Sequence, residues 1–153
     1  RMEEFISDFI FLVEQKLTQH GIRLEREDVK DLPVIRANAQ KLKQALLNLV
    51  MNAVEAMPDG GTIKLSMGES SGGLEIVIAD TGKGIPADRL QIIFEPFYST
   101  KTNGLGLGLA VCREIVEQHG GNISVESREG AGTTFCVRLP VLAKNRAVQP
   151  QWN

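Results

Sequence analysis

Apolar residues recur every three or four positions at Met2, Phe5, Ile6, Phe9, Ile10, Val13 and Leu17, which predicts an amphipathic helix over residues 2–17. Gly21, in "HGI", closes it. Ile22 and Leu24 alternate with polar neighbours as a short strand, and "PVIRA" predicts a second one. Asn38 then stands where it can cap a long helix from about Ala39 to Met57. "PDGG" stops that helix, and the strand "TIKLSM" puts Ile63, Leu65 and Met67 on one face. After "GESSGG", the stretch "LEIVIAD" alternates again, with Leu74, Ile76 and Ile78 in phase. From Thr81 to Leu107 no period holds, and the region reads as loop. A further helix runs to Gln118 on Leu109, Cys112 and Val116, with Gly120 and Gly121 as its stop. "NISVES" and "TTFCVRLP", joined by "REGAG", predict a closing hairpin. Strands and helices do not alternate strictly. The expected class is therefore α+β, a two-layer α/β sandwich with a mixed, mostly antiparallel sheet on about three helices, rather than a doubly wound fold.

Composition narrows this little. A chain of 153 residues is long enough for one domain with its own core, expected over 1–142, and the aperiodic tail 143–153 is expected to fray. Charged residues are 24%, hydrophobic ones 42%, and the net charge is -2, so neither a nucleic-acid partner nor direct membrane contact is expected. No apolar run approaches the ~20 residues of a membrane span, and a cytoplasmic location is expected. Cys112 and Cys136 carry no CxxC or Cys/His cluster and read as reduced packing residues.

Three polar intrusions break the apolar patterns. In the long helix a narrow stripe of Gln44, Asn48, Asn52 and Glu55 runs between apolar positions. Two asparagines one turn apart in such a segment need partners. Those partners are either another helix or strand, or a polar ligand or hydrated metal. Asp80 is in phase with Leu74, Ile76 and Ile78, so alternation turns its carboxylate toward the buried side, where it needs donors. It is either a turn-former before "TG" or an acceptor for an exocyclic amine, the group that separates adenine from guanine. Thr133 is in phase with Phe135, Val137 and Leu139, which puts a hydroxyl on the same inner face, although strand propensity alone also favours threonine there.

The stretch "GLGLGLA", Gly104 to Ala110, is glycine-rich without being a P-loop, since no GxxxxGK followed by Ser or Thr occurs. It is not the dinucleotide fingerprint either, because the third glycine of GxGxxG would fall at Leu109 or Val111. These glycines directly precede a helix, where free N–H groups and the helix dipole favour an anion. Lys101 in "FYSTKTNG" could reach the same phosphates, and the segment reads as a lid.

"QALLNLVMNAVEAM", "DTGKGIP", "IFEPFYSTK" and "GLGLGLAVCREIVEQHGG" resemble, in order and spacing, the N, G1, F and G2 boxes of the ATP-binding catalytic domain of sensor histidine protein kinases. "GAGTTFCVRLP" resembles that family's last strand, and the match runs to about Leu142. The wider superfamily includes gyrase, mismatch-repair and heat-shock chaperone ATPases. The resemblance implies ATP and Mg²⁺ as cofactors, a sandwich fold and a flexible ATP lid. It assigns Asn52 to the metal, with Asn48 beside it, and Asp80 to the adenine amine, helped by Gly82 and by Thr133 through water. Gly84 belongs to the same box, and Ile85 would line the base pocket. Phe94 and Phe97 would anchor the lid, while Tyr98 and Lys101 would touch the nucleotide. Gly104, Leu105, Gly106, Leu107, Gly108 and Leu109 would form the phosphate cradle. Asn48, Asn52 and Lys101 are the residues it implicates in phosphoryl transfer.

Two departures shape the expected mechanism. Superfamily members that hydrolyse ATP carry a glutamate where this chain has Asn48, which cannot accept a proton from water. The site is thereby suited to holding ATP for an incoming nucleophile. Glu55 stands where many kinases of the family have a basic residue. The acceptor histidine is expected on a separate dimerising helical hairpin absent from this chain, because His20 and His119 both read as helix-terminal residues. The expected function is transfer of the γ-phosphoryl group to that histidine, which then phosphorylates a response regulator receiver domain. The alternatives are a nucleotide-gated binding module without phosphotransfer and a stand-alone ATPase.

Overall fold

The computed structural model describes residues 2–27, 32–96 and 108–141. Within them the elements are α1 (Met2–Gln19), β1 (Ile22–Arg26), α2 (Ala39–Glu55), β2 (Gly61–Ser70), β3 (Gly73–Asp80), α3 (Gly108–Gln118), β4 (Asn122–Ser127) and β5 (Thr133–Pro140). The strands form one five-stranded sheet in the order β1-β2-β3-β5-β4. β1 runs parallel to β2 and the other pairings are antiparallel. This is the expected mixed sheet with a helical layer on one face.

Alternation decides which face. Ile63, Leu65 and Met67 of β2, Leu74, Ile76 and Ile78 of β3, and Phe135, Val137 and Leu139 of β5 are all buried. Register aligns them in rows, with Leu65 beside Ile78 and Ile78 beside Phe135. Onto these rows pack Phe9, Val13 and Leu17 of α1, Leu42, Leu46, Leu49 and Ala53 of α2, and Cys112 and Val116 of α3. Burial pushes the Cys112 thiol up to about 12, and both cysteines are free. Cys136 faces the other way, on the outer side of the sheet, where Sγ lies 3.4 Å from Glu75 Oε2 and Arg138 pairs with the same carboxylate at 2.9 Å. It is not a core residue.

Two sequence expectations change. "PVIRA" is not a strand: residues 33–37 make no ladder, and Val34 is 66% exposed. β1 has already taken the edge position beside β2, and Pro33 has no N–H to offer. The connection between β2 and β3 is shorter than "GESSGG". Ladder pairing continues to Ser70 opposite Gly73, so Ser71 and Gly72 alone make the turn, at φ 52° and 76°. Two successive positive φ values match the twist of the flanking strands, and glycine supplies the second without strain.

The Asn38 cap is present. Its side chain accepts from Lys41 N–H at 3.0 Å. Asn38→Ala is expected to destabilise the domain by about 1 kcal/mol, read as a lower denaturation midpoint with an unchanged slope.

Candidate functional site

The inward rows of the sheet end in a polar rung. Ile63 of β2, Asp80 of β3 and Thr133 of β5 are in register across three neighbouring strands, so two polar side chains occupy positions that the rows below fill with Leu, Ile and Phe. Asp80 is 8% and Thr133 4% exposed. Asp80 Oδ1 accepts from the Gly82 N–H at 2.8 Å and from the Thr133 N–H at 3.3 Å. Both bonds fall on one oxygen and leave Oδ2 out. Burial raises the Asp80 pKa above the usual carboxylate value, and these two N–H groups partly offset the rise.

The loop after Asp80 is pinned on both sides. Lys83 N–H bonds the Ala56 carbonyl at the end of α2, and Gly130 N–H bonds the Lys83 carbonyl from the turn between β4 and β5. Gly84, at φ 75°, lies so close to the Arg128 carbonyl that a Cβ would collide with it. Only glycine accepts both that backbone and that contact. Ile85 N–H bonds Ser127 Oγ at 2.8 Å.

A cavity of about 330 Å³ opens beside this loop, of a size usual for small-ligand sites. Asn52 of α2 and Ala56 at its C-cap, Gly84 and Ile85 of the loop, Leu109 of α3 and Thr133 of β5 line it. Glu55, Lys83, Arg89 and Glu129 add charged groups to the wall. The structure thus brings together Asn52, Gly84, Ile85, Leu109 and Thr133 from the predicted set. Asp80 lies beside Thr133 in register, and its Oδ1 joins it to the N–H groups of Thr133 and Gly82. Asn48 is turned elsewhere, its Nδ2 donating to the Gly108 carbonyl at 3.2 Å, and it borders a shallow depression with Gln44 and Lys43. The Asn48 amide thus meets a backbone carbonyl, while Asn52 lines the cavity. Phe97, Tyr98, Lys101, Gly104, Leu105, Gly106 and Leu107 lie outside the described residues. Gly108 is the first described residue of α3.

Phe94 leans edge-on against Phe135, centroids 6.2 Å apart at 79°, with the Arg113 guanidinium 5.5 Å from its ring centre. Both histidines sit at helix ends. His119 donates from Nδ1 to the Ile115 carbonyl at 2.7 Å and accepts the Asn38 N–H at Nε2, 2.9 Å away, so both ring nitrogens are engaged and the tautomer is fixed. A second cavity, about 400 Å³ between α1 and residues 32–42, is lined by Met2, Phe5, Leu32, Val34 and Leu42 and holds none of the predicted site residues.

Ser127 and Glu55 were not expected at this site. Ser127 reads as an ordinary polar residue of an edge strand, and its role depends on a loop 42 residues away in the chain. Glu55 belonged to the polar stripe of α2, and helical spacing already placed it one turn from Asn52.

A two-layer sandwich with a polar rung at its sheet end, a cavity between two helices, and a glycine-started helix at its edge defines a nucleotide-binding ATPase fold. Residues 37–143 match the family described as histidine kinase-, DNA gyrase B-, and HSP90-like ATPase, and the chain belongs to it. ATP is the ligand that membership implies. The chain is 45% identical over 140 residues to the sensor histidine kinase ZraS of Escherichia coli (strain K12), covering 92% of this chain and 30% of that protein. The chain thus spans about a third of that relative. The nucleotide-free catalytic domain of the histidine kinase ThkA superposes with a TM-score of 0.79 at 35% identity, covering 91% of each chain. ThkA in complex with the response regulator protein TrrA gives 0.77 at 32% identity, covering 95% of this chain and 42% of that one. Among the described residues no helix is long and apolar enough to cross a membrane.

Proposed function

We propose that this chain is the ATP-binding catalytic domain, residues 1–142, of a sensor histidine kinase. It binds Mg-ATP and passes the γ-phosphoryl group to an imidazole nitrogen of a histidine on a separate dimerisation domain, releasing ADP. The phosphohistidine then supplies a response regulator receiver domain, the class of partner named for ThkA. The reading places it in the cytoplasm, where ATP is available. The observation that carries it is the Asp80–Thr133 rung beside a cavity that Thr133 and Asn52 both line.

Each residue has a place in that reading. Asp80 Oδ2 accepts from the adenine amine, with Gly82 and Thr133 holding the carboxylate, while Gly84 and Ile85 flank the base. Gly108 and Leu109 open α3, whose free N–H groups and dipole favour the phosphates. Gly104 to Leu107 continue that cradle, and Tyr98 and Lys101 reach the nucleotide from the lid. Asn52 acts by position and its neutral amide, and Asn48 by holding the start of α3 through the Gly108 carbonyl; neither can take a proton from water.

The residues present fit Mg²⁺ only as a companion of the nucleotide. Among the described residues no group of three or more His, Cys, Asp or Glu side chains could hold a metal alone. Asn52 lines the cavity and its amide offers one oxygen, which fits an ion that arrives with the triphosphate and keeps phosphate and water oxygens as its other ligands. Bound there, Mg²⁺ would neutralise phosphate charge.

Incubating the chain with labelled ATP, Mg²⁺ and a helical hairpin bearing the acceptor histidine tests the function. Acid-labile label is expected on the hairpin, and none on the chain alone. Nucleotide binding with no label on any histidine hairpin of related kinases would instead indicate a nucleotide-gated binding module.

A further inference from the structure

Ser127 ends β4 next to the cavity, and its hydroxyl has three neighbours. Its Oγ lies 2.8 Å from the Ile85 nitrogen, 2.9 Å from the Gly132 carbonyl oxygen and 2.8 Å from Thr133 Oγ1. Two of these are oxygen–oxygen contacts, and each requires a proton between the atoms, because bare oxygens at that separation repel. The Gly132 carbonyl has no proton to give, so the Ser127 proton must point there. The proton between Ser127 and Thr133 then has only one source, the Thr133 hydroxyl. Ser127 Oγ is thereby complete, donating once and accepting from the Ile85 N–H and the Thr133 O–H. Thr133 is left with lone pairs only for whatever occupies the cavity it lines.

We infer that Ser127 is a positioning residue for base selection: it holds the Thr133 proton away from the cavity, so that Thr133 can accept from a purine substituent but cannot donate to one. The inference rests on the adenine reading of the Asp80 site. A 6-amino purine seated directly against Thr133 donates to it and finds an acceptor. A 6-oxo purine offers another acceptor and is repelled. The same hydroxyl fixes the Ile85 backbone, so one side chain sets both the position of the loop and the polarity of the rung.

Calorimetric titration of ADP and IDP into wild type, Ser127→Ala and Ser127→Thr tests it. In Ser127→Ala the Thr133 proton is free to turn into the cavity, and the ADP preference over IDP is expected to narrow roughly fivefold. Ser127→Thr keeps the hydroxyl and is expected to restore the preference, which a general loss of packing would not do. Thr133→Val is expected to narrow the preference similarly, and combining it with Ser127→Ala to add little. It serves also if Ser127→Ala does not fold. An unchanged ADP-to-IDP ratio in Ser127→Ala or in Thr133→Val overturns the inference while leaving the adenine reading intact. A wild type that binds both nucleotides equally, or neither, overturns the adenine reading itself.

Discussion

Asp80→Asn is expected to lower the affinity for ADP by roughly 5- to 150-fold, about 1–3 kcal/mol, and to leave the nucleotide-free domain at least as stable as its parent. The substitution preserves shape, and an amide oxygen can still accept from the N–H groups of Gly82 and Thr133 that now bond Asp80 Oδ1. What changes is the second atom. An amide nitrogen in place of Oδ2 turns a donor toward the adenine amine, itself a donor, and IDP with its 6-oxo group is expected to lose less affinity than ADP. The stability half follows from linkage. Burial raises the folded-state pKa of Asp80 above its ordinary 3.8. A group of this kind contributes stability that is fully present below pH 3.8 and lost as pH rises through the folded-state value. Asparagine carries no such dependence. The variant's advantage over wild type is expected to vanish in acid and grow toward neutrality, as thermal unfolding of the two nucleotide-free proteins across pH will show. Unchanged ADP affinity by calorimetry would refute the adenine assignment, and a variant less stable than wild type at neutral pH would show that burial does not dominate at Asp80.

Such a site was partly legible because its most informative residues put polar groups at the apolar positions of a period. Asp80 interrupts neither strand nor alternation, so phase alone turned it inward, and a buried carboxylate is chemically conspicuous. The same phase argument located Thr133, and helical spacing located Asn52 on α2. Asn48 shows where periodicity stops. One turn from Asn52 it looked equivalent, yet its amide answers to the Gly108 carbonyl, 60 residues away in sequence. Nothing local distinguishes a helix amide that meets a cavity from one that meets a backbone. Ser127 is the same case on a strand, and His119 another, its ring joining the end of α3 to the Asn38 N–H at the start of α2. "PVIRA" failed differently. Its residues suit a strand, but a strand needs a free edge, and sheet order is a property of the whole chain. The β2–β3 turn was blurred by composition, since Gly and Ser fill ladder ends and turns alike, and the positive φ values of Ser71 and Gly72 are visible only in the backbone.

Phe135→Ala is expected to have the largest effect on stability, about 3–5 kcal/mol of the 5–15 typical of a single domain. Phe135 is 1% exposed and belongs to the inner row of β5, with Ile78 and Val125 beside it in register. Truncation leaves a void in a sheet face whose neighbours are fixed by ladder bonds on both sides, so little collapse is available to fill it. The melting temperature should fall on the order of 6–20 °C. Phe94→Ala should cost less, because that ring is only partly buried and reaches the core through Phe135 rather than as part of it. The two losses overlap. Once Phe135 is gone, Phe94 has no ring to lean on, and the double variant is expected to fall short of the sum of the singles by about 0.5–1.5 kcal/mol. Denaturation of the four proteins measures that coupling. Additivity would mean that Phe94 is seated by Arg113 and the surrounding aliphatic side chains instead, and the chain leading toward residue 97 would then be anchored on α3 and not on the sheet that carries Asp80 and Thr133.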